Sequence, residues 1–202
     1  MQPHYELEGQ KVLVTGGGSG IGLAAATLMA RQGAQVCINH LAHDDRATAA
    51  IAQLQHQGLS VLASPGDVGD PLGAKDMVEH AIEQMGGMTL LVNNAGTPGT
   101  TKKIDPEHLD LVDEALWHTV LEVNLLGVFR CSKAAAPALK SSHGAIVNIA
   151  STAGMGQVGS SLAYGASKAG VVNLTQNLAR ALAPDVRVNA VAPGAVDRKS
   201  VV

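Results

Sequence analysis

Aromatic side chains are almost absent from this 202-residue sequence, which holds one Trp, one Phe and two Tyr. So few rings give no stacking platform for unpaired bases. Charge argues the same way: 14 Lys and Arg against 17 Asp and Glu leave a net −3, with no basic surface to meet phosphates. Two cysteines cannot make a disulfide framework, and Cys37 and Cys131 sit in apolar stretches where a thiol behaves as a small hydrophobe. No apolar run reaches the roughly 18–20 residues of a membrane span. The first residues lack the basic-then-apolar order of a secretion signal. Eight histidines are scattered along the chain; only His40 and His43 fall close together, with no second ligand pair, so no metal site is expected. These absences lead to the expectation of a cytoplasmic protein that meets neither nucleic acid nor membrane.

What the chain does have is 23 glycines and 46% hydrophobic residues, mostly Ala, Val, Leu and Ile. Short β-branched runs alternate with Ala-rich stretches. The pattern predicts strands at 11–15, 35–39, 59–64, 89–93, 145–150 and 186–191. It predicts helices at 20–32, 44–57, 70–85, about 106–111, 112–139 and 162–182. Each strand is a nearly continuous apolar run, as in a parallel sheet covered by helices on both faces. Gly33 and Gly58 stand where helix ends need a left-handed residue. The fold class expected is therefore α/β, a doubly wound parallel sheet in one domain.

Between the first strand and the first helix runs Thr15-Gly-Gly-Gly-Ser-Gly-Ile-Gly22. Glycines here let the chain turn sharply and let a pyrophosphate approach backbone N–H groups at a helix N-terminus. The spacing is Gly16-x-x-x-Gly20-x-Gly22, not the strict G-x-G-x-x-G fingerprint. Tyr164 and Lys168, four apart on a predicted helix, share one face. An ammonium beside a phenol favours the phenolate, which suits the ring to proton transfer. Such a pair alone is also ordinary surface chemistry. Ser151 ends the fifth strand, where its hydroxyl could stabilise charge on a substrate oxygen or merely bond its own turn. Asn124, amid Val123, Leu125 and Leu126, needs a partner or a water.

Thr15-Gly16-x-x-x-Gly20-x-Gly22, Asn93-Asn94-Ala95-Gly96, Asn124, Ser151, Tyr164-x-x-x-Lys168 and Pro193-Gly194 occur in one order from about residue 9 to 196. In this the sequence resembles the short-chain dehydrogenases/reductases, most broadly the single-domain 3-oxoacyl-acyl-carrier-protein reductases. The resemblance implies a Rossmann-type fold, NAD(H) or NADP(H), and hydride transfer between nicotinamide and a carbonyl or secondary alcohol. It makes Tyr164 the acid/base, Ser151 the substrate-polarising hydroxyl, Lys168 the partner of Tyr164 and the nicotinamide ribose, and Asn124 the holder of a proton-relay water. The implied cofactor contacts are Gly16, Ser19, Gly20, Ile21 and Gly22 at the turn, Asn94, Ala95 and Gly96 at the ribose, and Asp67 and Val68 at adenine. Pro193 and Gly194 would lie at the carboxamide.

The acidic position that would select NAD at the end of the second strand is occupied by His40, while Asp44 and Asp45 read as helix-cap residues. The choice leans toward NADP(H), with His40 or Arg46 near the 2′-phosphate. The resemblance also implies a homodimer or homotetramer, through apolar faces read at Ala134–Ala136 and at Val171, Val172 and Leu174. Relatives continue past the sixth strand into a substrate loop and a final strand. The expected catalytic domain is 1–196, lacking that strand and loop, and residues 197–202 read as a non-native tail. The competing expectation is a dinucleotide-binding protein or sensor of the same fold, without turnover.

Overall fold

The computed structural model describes residues 6–196; the expected non-native tail, 197–202, lies outside the described residues. Among the described residues six strands form one sheet: β1 (Lys11–Val14), β2 (Gln35–His40), β3 (Val61–Pro65), β4 (Leu90–Asn93), β5 (Ala145–Ile149) and β6 (Arg187–Val191). Their order is β3-β2-β1-β4-β5-β6 and every pairing is parallel. The chain winds outward from β1 to β3, then crosses back to place β4 on the other side of β1. That reversal makes the crevice beyond the ends of β1 and β4 the ligand site in sheets of this kind.

Alternate strand residues face opposite layers. Val12, Val14, Val36 and Ile38 pack under α1 (Gly20–Arg31) and α2 (Asp45–His56), against Ala26, Ala30, Ile51 and Leu54. Leu13, Cys37, Leu91 and Ile146 face α3 (Pro71–Met85) and α5 (Gly127–Ser141), against Met77, Val78, Cys131 and Leu139. Burial pushes both thiols up to about 12, so neither is a nucleophile at neutral pH. Asp44 caps α2 by accepting from Ala47 N at 3.1 Å, as expected. Gly33 and Gly58 take positive φ at 95° and 78°, closing α1 and α2.

Four expectations change. The long helix at 112–139 is instead α4 (Glu114–Leu121), a π-helical stretch Glu122–Leu126 and α5. The helix near 106–111 shrinks to a single 3-10 turn at Leu109–Leu111. On β6 only Val188 is buried, so this edge strand is not covered on both faces. The apolar faces quoted for association lie partly in the core: Ala135 packs with α3, and Val171 with Val128 and Ala150. Exposed apolar side chains are found instead at Leu126 and Phe129 beside α5 and at Leu162 on α6 (Leu162–Leu182).

A buried polar chain ties the middle of the sheet to the helices. Asn93 Nδ2 donates to Ser132 Oγ at 3.0 Å and to Asn148 Oδ1 at 2.9 Å, and Asn148 Nδ2 donates to Thr175 Oγ1 at 2.9 Å. Removing one member strands the others without water. Asn148→Ala is expected to lower stability by about 2–4 kcal/mol; a urea midpoint unchanged from the parent would show that the chain contributes nothing.

Candidate active site

The glycine turn is built by contacts to the neighbouring strand ends. Asn39, at the end of β2, accepts from Gly16 N at 3.1 Å through Oδ1. Its Nδ2 donates to Ser64 O and Gly66 O at 3.1 and 2.9 Å. Asn94, just past β4, donates to Thr15 O and Gly16 O, both at 3.0 Å. Thr15 Oγ1 accepts in return from Asn94 N and Ala95 N at 3.0 Å. The approach is too close for side chains: a Cβ on Gly16 would lie 2.8 Å from Ala95 Cα, and one on Gly22 would lie 2.4 Å from Asn94 Nδ2. Gly20, in contrast, opens onto free space at φ 54°. Ser19 makes no side-chain cap to α1 and the first turn carries no acid, whereas α2, α3, α4 and α6 are all capped by Asp or Ser. Unspent N–H donors over a glycine floor fit a pyrophosphate.

Beside the turn, a cleft of about 720 Å³ is lined by residues 41–46, Gly66 and Asp67. Arg46 and His43 line it; His40 does not. The His40 ring is buried, with Nδ1 2.8 Å from Leu41 O. Asp44 Oδ1 is committed to its helix cap, while Asp45 and Asp67 also line the cleft. Asp67 Oδ1 accepts from Gly69 N at 2.7 Å, and Val68 is buried with the α3–α5 layer.

On the other side of β4, the π stretch and α6 both reach Gly96. A Cβ there would lie 3.3 Å from Asn124 Oδ1 and 3.5 Å from Lys168 Nζ. Lys168 is buried, its Nζ 2.7 Å from Ile149 O and 5.9 Å from the Tyr164 ring centroid. Burial lowers its ammonium from 10.5 to about 8. The Ile149 bond uses one of three N–H donors. The side chain of Asn124 is held on both sides: Oδ1 accepts from Thr97 N at 2.7 Å, and Nδ2 donates to Thr97 O at 2.9 Å and Ser167 Oγ at 3.1 Å. Asn124 lies in the π stretch at 122–126, where the helix backbone departs from i→i+4 bonding.

Ser151 Oγ accepts from Ala153 N at 3.2 Å, leaving its O–H to donate elsewhere. Pro193 and Gly194 lie directly across: Thr152 N donates to Pro193 O at 3.0 Å. The structure thus brings Asn124 and Lys168 to Gly96, with the Tyr164 ring beside Lys168. It brings Pro193 and Gly194 to the Ser151 turn, and the glycine turn to Asn94 and Ala95. Thr15, Asn39, Thr97, Ser167 and Gly154 also shape the site and were not singled out as site residues from the sequence. Only an asparagine at a strand end, where turn backbone needs partners, gave any signal for Asn39.

The sequence model of the short chain dehydrogenases matches residues 10–201. The 3-oxoacyl-(acyl-carrier-protein) reductase of Staphylococcus aureus is 36% identical over 189 residues, 92% of this chain and 74% of that protein. A (2S)-((R)-hydroxy(phenyl)methyl)succinyl-CoA dehydrogenase subunit of Thauera aromatica is 36% identical over 194 residues, 94% of this chain and 74% of that one. A short chain dehydrogenase from Burkholderia cenocepacia, solved in complex with NADP, superposes with TM-score 0.84 at 35% identity, covering 96% of this chain and 77% of that one. The chain belongs to the short-chain dehydrogenase/reductase family of oxidoreductases.

Gly154 tests the geometry. A Cβ there would lie 2.5 Å from Lys168 C and 2.7 Å from Ala169 N, so the turn after Ser151 rests on α6 backbone. Gly154→Ala is expected to push α6 away and cost activity at least about tenfold. Kinetics on the purified variant, with circular dichroism as a folding control, decide it; a folded variant of parental activity would contradict the geometry.

Proposed function

We propose that this short-chain dehydrogenase/reductase transfers hydride between a nicotinamide dinucleotide, NADP(H) in preference to NAD(H), and a carbonyl compound or secondary alcohol. The observation that carries the reading is the approach of Asn124 Oδ1 and Lys168 Nζ to Gly96, with the Tyr164 ring 5.9 Å from that ammonium and an uncapped helix over the glycine turn. Gly16, Ser19, Gly20, Ile21 and Gly22 would cradle the pyrophosphate. Asn94, Ala95 and Gly96 would flank the ribose, Asp67 and Val68 the adenine, and Pro193 and Gly194 the carboxamide. Arg46 and His43 in the cleft, with Asp44 drawn to its helix cap, would meet a 2′-phosphate. His40 supports this less directly, since its ring turns to Leu41.

The bound nicotinamide supplies or accepts the hydride. Tyr164 gives its phenolic proton to the carbonyl oxygen as the alcohol forms, and takes it back in the opposite direction. The Lys168 ammonium beside the ring favours the phenolate left behind, and its remaining donors suit ribose hydroxyls. The Ser151 hydroxyl donates to the same substrate oxygen and stabilises its developing charge. Asn124 holds Thr97 and Ser167, and its main chain would carry the relay water that returns a proton through Lys168.

Residues 1–196 act in this reading as one nucleotide-binding catalytic domain. Exposed Leu126, Phe129 and Leu162 support a homodimer or homotetramer. Two free, buried cysteines agree with the cytoplasm, and among the described residues no helix is long and apolar enough to cross a membrane.

Tyr164→Phe is expected to remove nearly all turnover against a panel of carbonyl compounds while leaving NADPH affinity intact. Retained turnover refutes the acid/base role; binding without turnover in the parent protein would favour a sensor. The pH dependence has a definite sign. Without cofactor, Lys168 loses its proton as pH rises through about 8. Because the ammonium donates to the ligand, NADPH binding should weaken above that pH and take up protons near it. Calorimetry in buffers of different ionisation enthalpy measures the uptake.

A further inference from the structure

Arg130 of α5 reaches back eight residues, over the whole π stretch, to Glu122 at its start. Its Nη2 donates to Glu122 Oε2 at 2.6 Å. Its Nη1 donates to Glu122 O at 3.3 Å and to Gly69 O at 2.9 Å. The two side chains are only 17% and 26% exposed, so water screens this pair less than a surface ion pair. The carbonyl of Glu122 also accepts from Gly127 N, the widened i+5 bond of the π stretch, so Arg130 braces the helix where its backbone is irregular.

The third acceptor lies on another element. Gly69 follows Asp67 and Val68 in the loop between β3 and α3, the loop whose Gly66 and Asp67 line the 720 Å³ cleft. That loop is seated on the π stretch: a Cβ on Gly127 would lie 3.0 Å from Val68 Cγ2 and 3.1 Å from Val68 O, and one on Gly69 would lie 3.2 Å from Val123 Cγ2. At the centre of the stretch Asn124 holds Thr97 and Ser167, and Ser167 adjoins Lys168. One guanidinium fork therefore joins the loop at the cleft to the segment that supports the catalytic side chains.

We propose that Arg130 is a positioning residue that locks the 67–69 loop and the 122–127 segment into one frame, so that filling the adenosine cleft stiffens the support of Asn124 and Lys168. The proposal rests on reading that cleft as the adenosine site. Binding energy gained far from the reacting atoms then serves to order the groups that act on them. By linkage, loosening the frame should weaken binding in the cleft.

Hydrogen exchange followed by mass spectrometry tests this, with adenosine 2′,5′-bisphosphate as the probe. In the parent protein the probe should slow exchange at 67–69 and also at 122–127. In Arg130→Gln the slowing at 67–69 should persist while that at 122–127 disappears, with probe affinity reduced by at least about threefold and the melting temperature of the rest of the domain kept. Arg130→Lys can reach Glu122 but cannot fork to Gly69 O, and should behave as Arg130→Gln does. If neither variant folds, the parent experiment still decides. Slowing confined to 67–69 in the parent, or slowing at 122–127 that survives in a folded variant, overturns the proposal. No slowing at 67–69 in the parent overturns the adenosine reading itself, and the proposal with it.

Discussion

Side-chain amides at the carboxyl ends of the strands and in the π stretch hold this site in shape. Asn39, Asn93, Asn94, Asn124 and Asn148 each direct a side-chain amide at backbone or at another side chain. A side-chain amide removed from water must find partners, since leaving one unpaired costs about 1–3 kcal/mol. Each asparagine therefore specifies where a turn has to pass. Asn39 and Asn94 between them bind both faces of the glycine turn. Asn124 binds both polar groups of the Thr97 backbone, so the loop after β4 cannot move independently of the π stretch. The glycines are the counterpart: the amides pull backbones together, and only residues without Cβ tolerate the approach.

Rigidity of that kind leaves a few polar groups unspent. The N-terminus of α1 has no side-chain cap, Ser151 has an O–H to donate, and Lys168 has N–H donors beyond its bond to Ile149. Burial of the Lys168 ammonium is unfavourable by itself, which is why its proton is held less tightly. A ligand offering acceptors would relieve that cost. The two thiols contrast with it: buried among apolar neighbours, they keep their protons and have no reactivity at neutral pH.

Much of this was legible in the chain of residues. The alternation of apolar runs with Ala-rich stretches located all six strands to within a few residues, because strand and helix periods are local properties. Asp44 read correctly as a cap, and Gly33 and Gly58 as helix ends, because these preferences involve residues three or four apart. The π stretch was not legible: one extra residue in a helical turn alters no periodicity that a five-residue window can display. Nor were the true exposed apolar positions, since Ala134–Ala136 and Phe129 differ in burial only through what packs on α5.

The sequence by itself determined the doubly wound sheet and the glycine turn between β1 and α1, because order and short-range spacing carry that information. The tertiary structure decided how the residues of the site are held. It turned His40 away from the cleft, spent the Asn124 amide on Thr97 and Ser167, and set Arg130 against Gly69, 61 residues away along the chain. Such pairings depend on which backbones the sheet brings within about 3 Å. No local pattern contains that distance.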